Sequence, residues 1–226
     1  MFRHRKEKVI MLEKMGEFFD HRLNEYEEHQ LNCIAYAKEF YLFTAHSLPR
    51  KVNARILDLG CGTGLELEPY YEWNPSAQIT GIDLAPGMLQ VLKNKFPDKK
   101  LNLILGSYFD VPMGIEIFDA AVSVESLHHF TLEEKIFLYQ KVKAALKPEG
   151  YFILTDFFAL SNEEEWSCRK ELERLKKMQG IKDDVLYHFD TPLTVLHEMN
   201  ALRQAGFQKV ELLNSWNATH TIKAIR

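Results

Sequence analysis

Three glycines at alternate positions, Gly60, Gly62 and Gly64, constrain this chain more than any other feature of it. They follow an apolar run suited to a buried strand, Ile56-Leu57-Asp58-Leu59, and lead through Leu65-Glu66 into a helical pattern at 65–73. Glycine tolerates positive φ and lets backbone approach a ligand without an intervening Cβ. A strand, a glycine turn and a helix in that order therefore mark the carboxyl edge of a parallel sheet, where open α/β folds bind ligands. Short apolar runs at 54–59, 78–83, 101–105, 119–124 and 151–155 alternate with helical patterns at 65–73, 86–96 and 131–146. That rhythm predicts a parallel sheet covered by helices on both faces. The crossover at 110–118 carries Pro112 and Gly114 and reads as loop, and the helix after it stops at Lys147-Pro148-Glu149-Gly150.

The alternation leaves both flanks of the sheet pattern to explain. A length of 226 residues, at roughly 150 residues per domain, suits one domain with large additions. In the first segment Met11, Leu12, Met15, Phe18 and Phe19 share one helical face. A second helical pattern runs through Leu31, Ile34, Ala35, Tyr41, Leu42 and Ala45 to the neighbourhood of Pro49, so two helices are expected before the first strand. A charged helix at 161–178 opens on Ser161-Asn162 and is followed by Gly180 and a polar stretch up to Asp190. A helix at 192–205 ends at Gly206, and runs at 207–213 and 218–225 predict a terminal strand pair turning at Asn214-Ser215.

Charge and cysteine content narrow the function classes. With 28 Lys and Arg against 32 Asp and Glu, the formal charge is -4. This is too acidic for a dedicated nucleic-acid coat or a strongly membrane-attracted surface, although residues 3–8 are locally basic. Cys33, Cys61 and Cys168 are too few and too scattered for a disulfide framework or a metal knuckle, and they suit a reducing compartment. Acidic residues interrupt the apolar runs of the N-terminus before they reach signal-peptide length, and no stretch has the length of a membrane span. The expectation is a soluble, cytoplasmic protein with no membrane partner.

Two cofactor classes compete for the glycine turn. A dinucleotide fold requires G-x-G-x-x-G, with a pyrophosphate at the helix N-terminus. Here Leu65 stands where the third glycine would fall, and Asp58 lies at the end of the strand, where a carboxylate suits an ammonium better than a phosphate. The segment Asp58-Leu59-Gly60-Cys61-Gly62-Thr63-Gly64 resembles the first motif of class I S-adenosylmethionine-dependent methyltransferases. The resemblance covers most of 52–160 and, more loosely, Leu202-Arg203-Gln204-Ala205-Gly206-Phe207, similar to the family's entry into its last strand pair. It implies an α/β fold of Rossmann-like type: a doubly wound, mostly parallel seven-stranded sheet with an antiparallel terminal strand, plus a helical lid. The chain is then a single methyltransferase domain over 1–226, with its core in 52–156 and 191–226. Residues 1–51 form an N-terminal helical lid and 157–190 a lid insertion.

The same resemblance implies S-adenosylmethionine as cofactor and S-adenosylhomocysteine as product. Asp58, Gly60, Gly62 and Gly64 would form the cofactor turn, and Asp83, closing the second strand, would accept hydrogen bonds from both ribose hydroxyls. Capping the next helix is the alternative role for Asp83, and core packing the alternative for Leu84 and Met88, which would flank the adenine. Ser107 replaces the usual Asp of that family position, which shifts adenine recognition toward Tyr108. Val124 ends the fourth strand beside the cofactor. Phe18-Phe19-Asp20-His21-Arg22-Leu23-Asn24-Glu25-Tyr26 resembles a segment preceding the first motif in many small-molecule methyltransferases, which places Tyr26 at the cofactor.

Methyl transfer from a sulfonium is an in-line displacement, and a base is needed only where the nucleophile must lose a proton. His128 and His129, just past the fourth strand, are the candidate catalytic residues, with packing as the alternative for each. Glu125 joins them in an E-x-x-H-H cluster able to hold a metal, but no second cluster completes a coordination shell, so no metal is expected. Asp156, ending the fifth strand, faces the same crevice or caps a turn. The reading is a methyltransferase acting on a small-molecule acceptor. Its rivals are a tRNA- or nucleic-acid-modifying methyltransferase, a synthase of a modified sulfonium cofactor, an NAD-dependent oxidoreductase and a non-catalytic cofactor-binding protein. The acceptor and the oligomeric state are left open.

Overall fold

The computed structural model describes residues 10–181 and 185–226. Helices α1 (Met15–His21), α2 (Leu23–Cys33) and α3 (Ala37–Ser47) lead into strand β1 (Arg55–Leu59). The alternating region follows as α4 (Leu67–Trp73), β2 (Gln78–Asp83), α5 (Pro86–Lys95), β3 (Lys100–Leu105), β4 (Phe118–Val124), α6 (Leu132–Ala145) and β5 (Leu146–Phe157). Next come α7 (Asn162–Gln179), α8 (Val195–Gln204) and the hairpin β6 (Lys209–Trp216) and β7 (Thr219–Ile225). One seven-stranded sheet has the order β3-β2-β1-β4-β5-β7-β6. Its first five neighbours run parallel, and β7 lies antiparallel between β5 and β6. The strand order reverses between β1 and β4, which opens the ligand crevice of a doubly wound sheet at their carboxyl ends.

Alternation along β1 separates two apolar layers. Ile56 packs with Phe40, Tyr70 and Leu92 of α3, α4 and α5, whereas Leu57 and Leu59 pack with Leu138 and Leu202 of α6 and α8. Helix α6 begins in a capping box, in which Thr131 Oγ1 accepts from the Glu134 amide and the Glu134 carboxylate accepts from the Thr131 amide. It meets α8 through a buried ion pair, Lys135 Nζ to Glu198 Oε2 at 2.5 Å, and the Tyr139 hydroxyl donates to the same carboxylate. Lys135→Met leaves that carboxylate buried without its cation. It is expected to cost about 3–5 kcal/mol in chemical denaturation, and a loss below about 1 kcal/mol would contradict the pairing.

Three local expectations are corrected. The first helix starts only at Met15, because backbone bonds from Met15 N to Leu186 O (2.9 Å) and from His188 N to Glu13 O (3.0 Å) tie the preceding residues to a neighbouring segment. Met11 thus lies exposed outside the helix, whereas Leu12 is buried ahead of it. The second expected helix is two, α2 and α3, broken where Ile34 is extended and Tyr36 takes φ 63°. The break frees α3 to bury Ala37, Phe40, Tyr41 and Ala45 along its own direction. The terminal turn falls at Asn217-Ala218, not Asn214-Ser215, with Asn217 at φ 50°, a left-handed conformation that asparagine tolerates. Asn214 and Ser215 instead lie inside β6, just past a register irregularity. Among the described residues no helix is long and apolar enough to cross a membrane, and the basic stretch at 3–8 lies outside the described residues.

Candidate functional site

The glycine turn is pinned to β2: Gly60 N donates to Ile82 O at 2.9 Å and Gly62 N to Asp83 Oδ2 at 2.8 Å. The other Asp83 oxygen, Oδ1, accepts from Ala85 N at 2.9 Å, so this carboxylate braces both turns. Gly60 and Gly62 have φ 70° and 46°, and the missing Cβ atoms matter differently. A Cβ on Gly60 would collide with Ser126 Oγ and stand 2.6 Å from Ser126 Cβ, whereas one on Gly62 would lie 3.4 Å from the Tyr26 hydroxyl. A Cβ on Gly64 would collide with Leu92 Cδ1, so that glycine serves the packing of α5.

Above the turn lies a narrow cleft. Of the residues selected from the sequence, it gathers Tyr26, Gly60, Gly62, Asp83, Leu84, Met88, Tyr108 and His129. The structure adds Met15, Phe19, Glu125 and Ser126 to its lining. Five selected residues stand elsewhere. Gly64 packs as described; Val124 is buried in the core, and Asp58 is buried at 1% exposure. Ser107 lines a neighbouring cavity, where its hydroxyl accepts from Phe109 N at 3.2 Å. His128 lines a wider second cavity, which shares Phe19, Tyr26, Glu125 and His129 with the cleft. Glu125 reaches the cleft from the end of β4 as part of the E-x-x-H-H cluster, whereas Met15 carried no local signal of its place and arrives by long-range packing.

The two histidines are held differently. His128 Nδ1 lies 2.5 Å from Asp156 Oδ1, and the Asp156 carboxylate also accepts from Leu127 N (2.8 Å) and Phe157 N (2.9 Å). Burial alone would lower the His128 pKa, but the Asp156 charge and hydrogen bond outweigh it and raise it to about 9. His129 Nδ1 lies 3.3 Å from Phe189 O and 3.2 Å from Asp190 Oδ1. Burial and the neighbouring His128 charge lower the His129 pKa. Glu125, at φ 49°, accepts from Thr219 Oγ1 at 3.3 Å, and burial with the Asp156 charge raises it to about 8. His188 stacks on Phe18 with centroids 3.5 Å apart, and burial, then the His129 charge, depress it to about 4. His128, His129 and Asp190 bring ligand-type atoms within 4.8 Å of one another, as do Glu125, His128 and Asp156. Histidine Nδ1 atoms in this network already face carboxylates, so it balances charge internally and can move a proton toward the second cavity.

Residues 57–154 match the family model described as a methyltransferase domain. The chain is 29% identical over 195 residues to the biotin biosynthesis bifunctional protein BioHC of Teredinibacter turnerae, covering 74% of this chain and 33% of that protein. It is 28% identical over 165 residues to the O-methyltransferase cnsE of Penicillium expansum, covering 70% and 53%. The chain thus spans about a third to about half the length of these curated relatives. The S-adenosylmethionine dependent methyltransferase from Mesorhizobium loti superposes with a TM-score of 0.58 at 22% identity over 81% of this chain and 96% of that one. Human N-acetylserotonin methyltransferase in complex with SAM gives 0.60 at 19% identity over 84% and 52%. These structural likenesses establish a common fold.

Proposed function

On the premise that this chain belongs, through residues 57–154, to the class I S-adenosylmethionine-dependent methyltransferases, we propose that it transfers a methyl group to a small-molecule acceptor. The observation that carries this reading is the common wall of Phe19, Tyr26, Glu125 and His129 between a cleft on the glycine turn and a second cavity. A cofactor in the first and an acceptor in the second meet across it. The residues suit the cofactor: Gly60 and Gly62 line the cleft, and Asp83 lines it beside them with a carboxyl group. Beside the turn, Asp58 Oδ2 and Glu66 Oε1 are buried acceptors without a hydrogen-bond donor among the described residues. Bound there, S-adenosylmethionine supplies an electrophilic methyl carbon on a sulfonium.

The residues of the chain align, shield and deprotonate. Asp83 accepts the ribose hydroxyls while Gly62 N and Ala85 N hold its carboxylate in place. Leu84, Met88 and Tyr108 flank the adenine. Phe19 and Tyr26 close the wall against water, which favours in-line displacement over hydrolysis. His129 serves as the base when the acceptor must lose a proton. Its Nδ1–H donates toward Phe189 O and Asp190, leaving Nε2 to accept. His128 stays an imidazolium paired with Asp156 and steadies the charge beside it.

Asp83→Ala is expected to weaken cofactor binding by about 1–3 kcal/mol in calorimetry; unchanged affinity would refute its ribose role. The proposal as a whole is tested by incubating the protein with methyl-labelled S-adenosylmethionine and a metabolite extract. Label should pass into small molecules. Label found only in added RNA would transfer the reading to a nucleic-acid methyltransferase.

A further inference from the structure

Two imidazoles and a carboxylate converge on one wall of the second cavity. His128 Nε2 lies 3.6 Å from Asp190 Oδ1, and His129 Nδ1 lies 3.2 Å from the same oxygen. Ligand-type atoms of the three residues stand within 4.8 Å of one another. Both gaps are longer than a charge-assisted N–H···O bond of about 2.7–2.9 Å. They match instead the edge of a tetrahedron around zinc, about 3.3–3.5 Å for bonds of about 2.0–2.2 Å to nitrogen and oxygen. The other side of the His128 ring differs: Nδ1 meets Asp156 Oδ1 at 2.5 Å, and the Leu127 and Phe157 amides hold that carboxylate in place. A carboxylate on the far ring nitrogen fixes the tautomer and aims Nε2 at a cation, the outer-shell arrangement of metal-binding histidines. Asp190, 61 positions beyond His129, supplies the ligand that the sequence cluster at 125–129 lacks. We propose that His128, His129 and Asp190 form a binding site for a zinc-type divalent cation, and that filling it switches off the base. The switch rests on the reading of His129 as base; the site does not.

Donor type selects the cation. Two imidazole nitrogens and a carboxylate oxygen suit zinc and its transition-metal neighbours, whereas magnesium requires a shell of oxygens. The three side chains supply three corners of a tetrahedron, and the fourth opens on the second cavity, which all three line. Entry is from the Asp190 side, where that side chain is 52% exposed against 11% for His128 and 2% for His129. Coordination changes both rings. His128 ligates through Nε2, gives any proton there to solvent and keeps its Nδ1 proton on Asp156. His129 ligates through the Nδ1 lone pair, so the proton of its neutral ring moves to Nε2, the atom that otherwise receives the proton of the acceptor. No free pair is left to act as base. The ion does not replace that base, because His128 and Asp190 line the second cavity but not the cofactor cleft. An acceptor atom held by the ion therefore stays back from the methyl group.

Calorimetry of the metal-free full chain with zinc chloride and with magnesium chloride reads the site directly. Zinc is expected to bind saturably, and magnesium to give no saturable heat. Asp190→Asn keeps a hydrogen-bond acceptor for the His129 ring but removes the anionic ligand, and should weaken zinc at least about tenfold. Its affinity for S-adenosylhomocysteine should match wild type, because Asp190 lies outside the cleft; this also reports that the variant is folded. As zinc saturates the wild-type protein, turnover of an acceptor that must be deprotonated should fall by about 10²–10⁴-fold, with S-adenosylhomocysteine affinity unchanged. Equal zinc affinity in wild type and Asp190→Asn, or binding of magnesium as tight as that of zinc, would overturn the site. Zinc bound with turnover unchanged or raised would overturn the switch. Each of these results leaves the methyltransferase reading intact, whereas no label transfer by the metal-free protein would overturn that reading and leave the zinc titration to decide the site.

Discussion

Gly60→Ala is expected to weaken cofactor binding at least about a hundredfold, roughly 2.7 kcal/mol or more. The residue sits at φ 70°, where an L side chain costs about 1–2 kcal/mol. The new methyl would also collide with Ser126 Oγ and approach Ser126 Cβ to 2.6 Å. Ser126 Cβ is fixed to its backbone, so relief requires the loop after β4 to retreat from the loop after β1. Those loops form the floor of the cleft through Gly60, Gly62, Glu125 and Ser126. Gly180→Ala is the matched control. Its φ is 64°, but nothing lies within 4 Å of the added Cβ, and it caps α7 away from the cleft. It should cost stability in a thermal melt and leave cofactor affinity unchanged. Equal affinity losses in the two variants would show that backbone strain, not the shape of the cleft, governs binding.

The second large effect concerns turnover. With an acceptor that must be deprotonated, His129→Gln is expected to lower kcat by about 10²–10⁴-fold and to leave cofactor affinity near wild type. The pH profile supplies the sign. A base works unprotonated, and burial with the His128 charge holds His129 below the ordinary histidine value of about 6.5. Activity is therefore flat through neutral pH and falls only on acidification below that value. A rise in activity through pH 8–10, near the raised His128 value of about 9, would instead make His128 the base. Full activity of His129→Gln with an ionisable acceptor would exclude both residue and mechanism.

What the sequence disclosed followed from local physics. Apolar runs such as Ile79 and Ile82 in β2 or Val122 and Val124 in β4 announced strands, and Gly60 and Gly62 announced the turn because backbone geometry demands glycine there. Tyr36 gave no such warning: it adopts φ 63° without being glycine or asparagine, so the break between α2 and α3 was hidden inside a continuous helical pattern. The site shows the same division. Asp83 and Tyr108 were legible from their places at strand ends, whereas Ser107 turned its hydroxyl to its own loop. The partners that set the histidines apart, Asp156 for His128 and Asp190 for His129, lie 28 and 61 positions away.

The central claim is that the glycine turn and Asp83 recognise S-adenosylmethionine, and titration calorimetry of the full chain with S-adenosylmethionine, S-adenosylhomocysteine and NAD tests it most directly. The account predicts saturable binding of the first two at one site per chain and no detectable heat from NAD. Binding of NAD alone would contradict it.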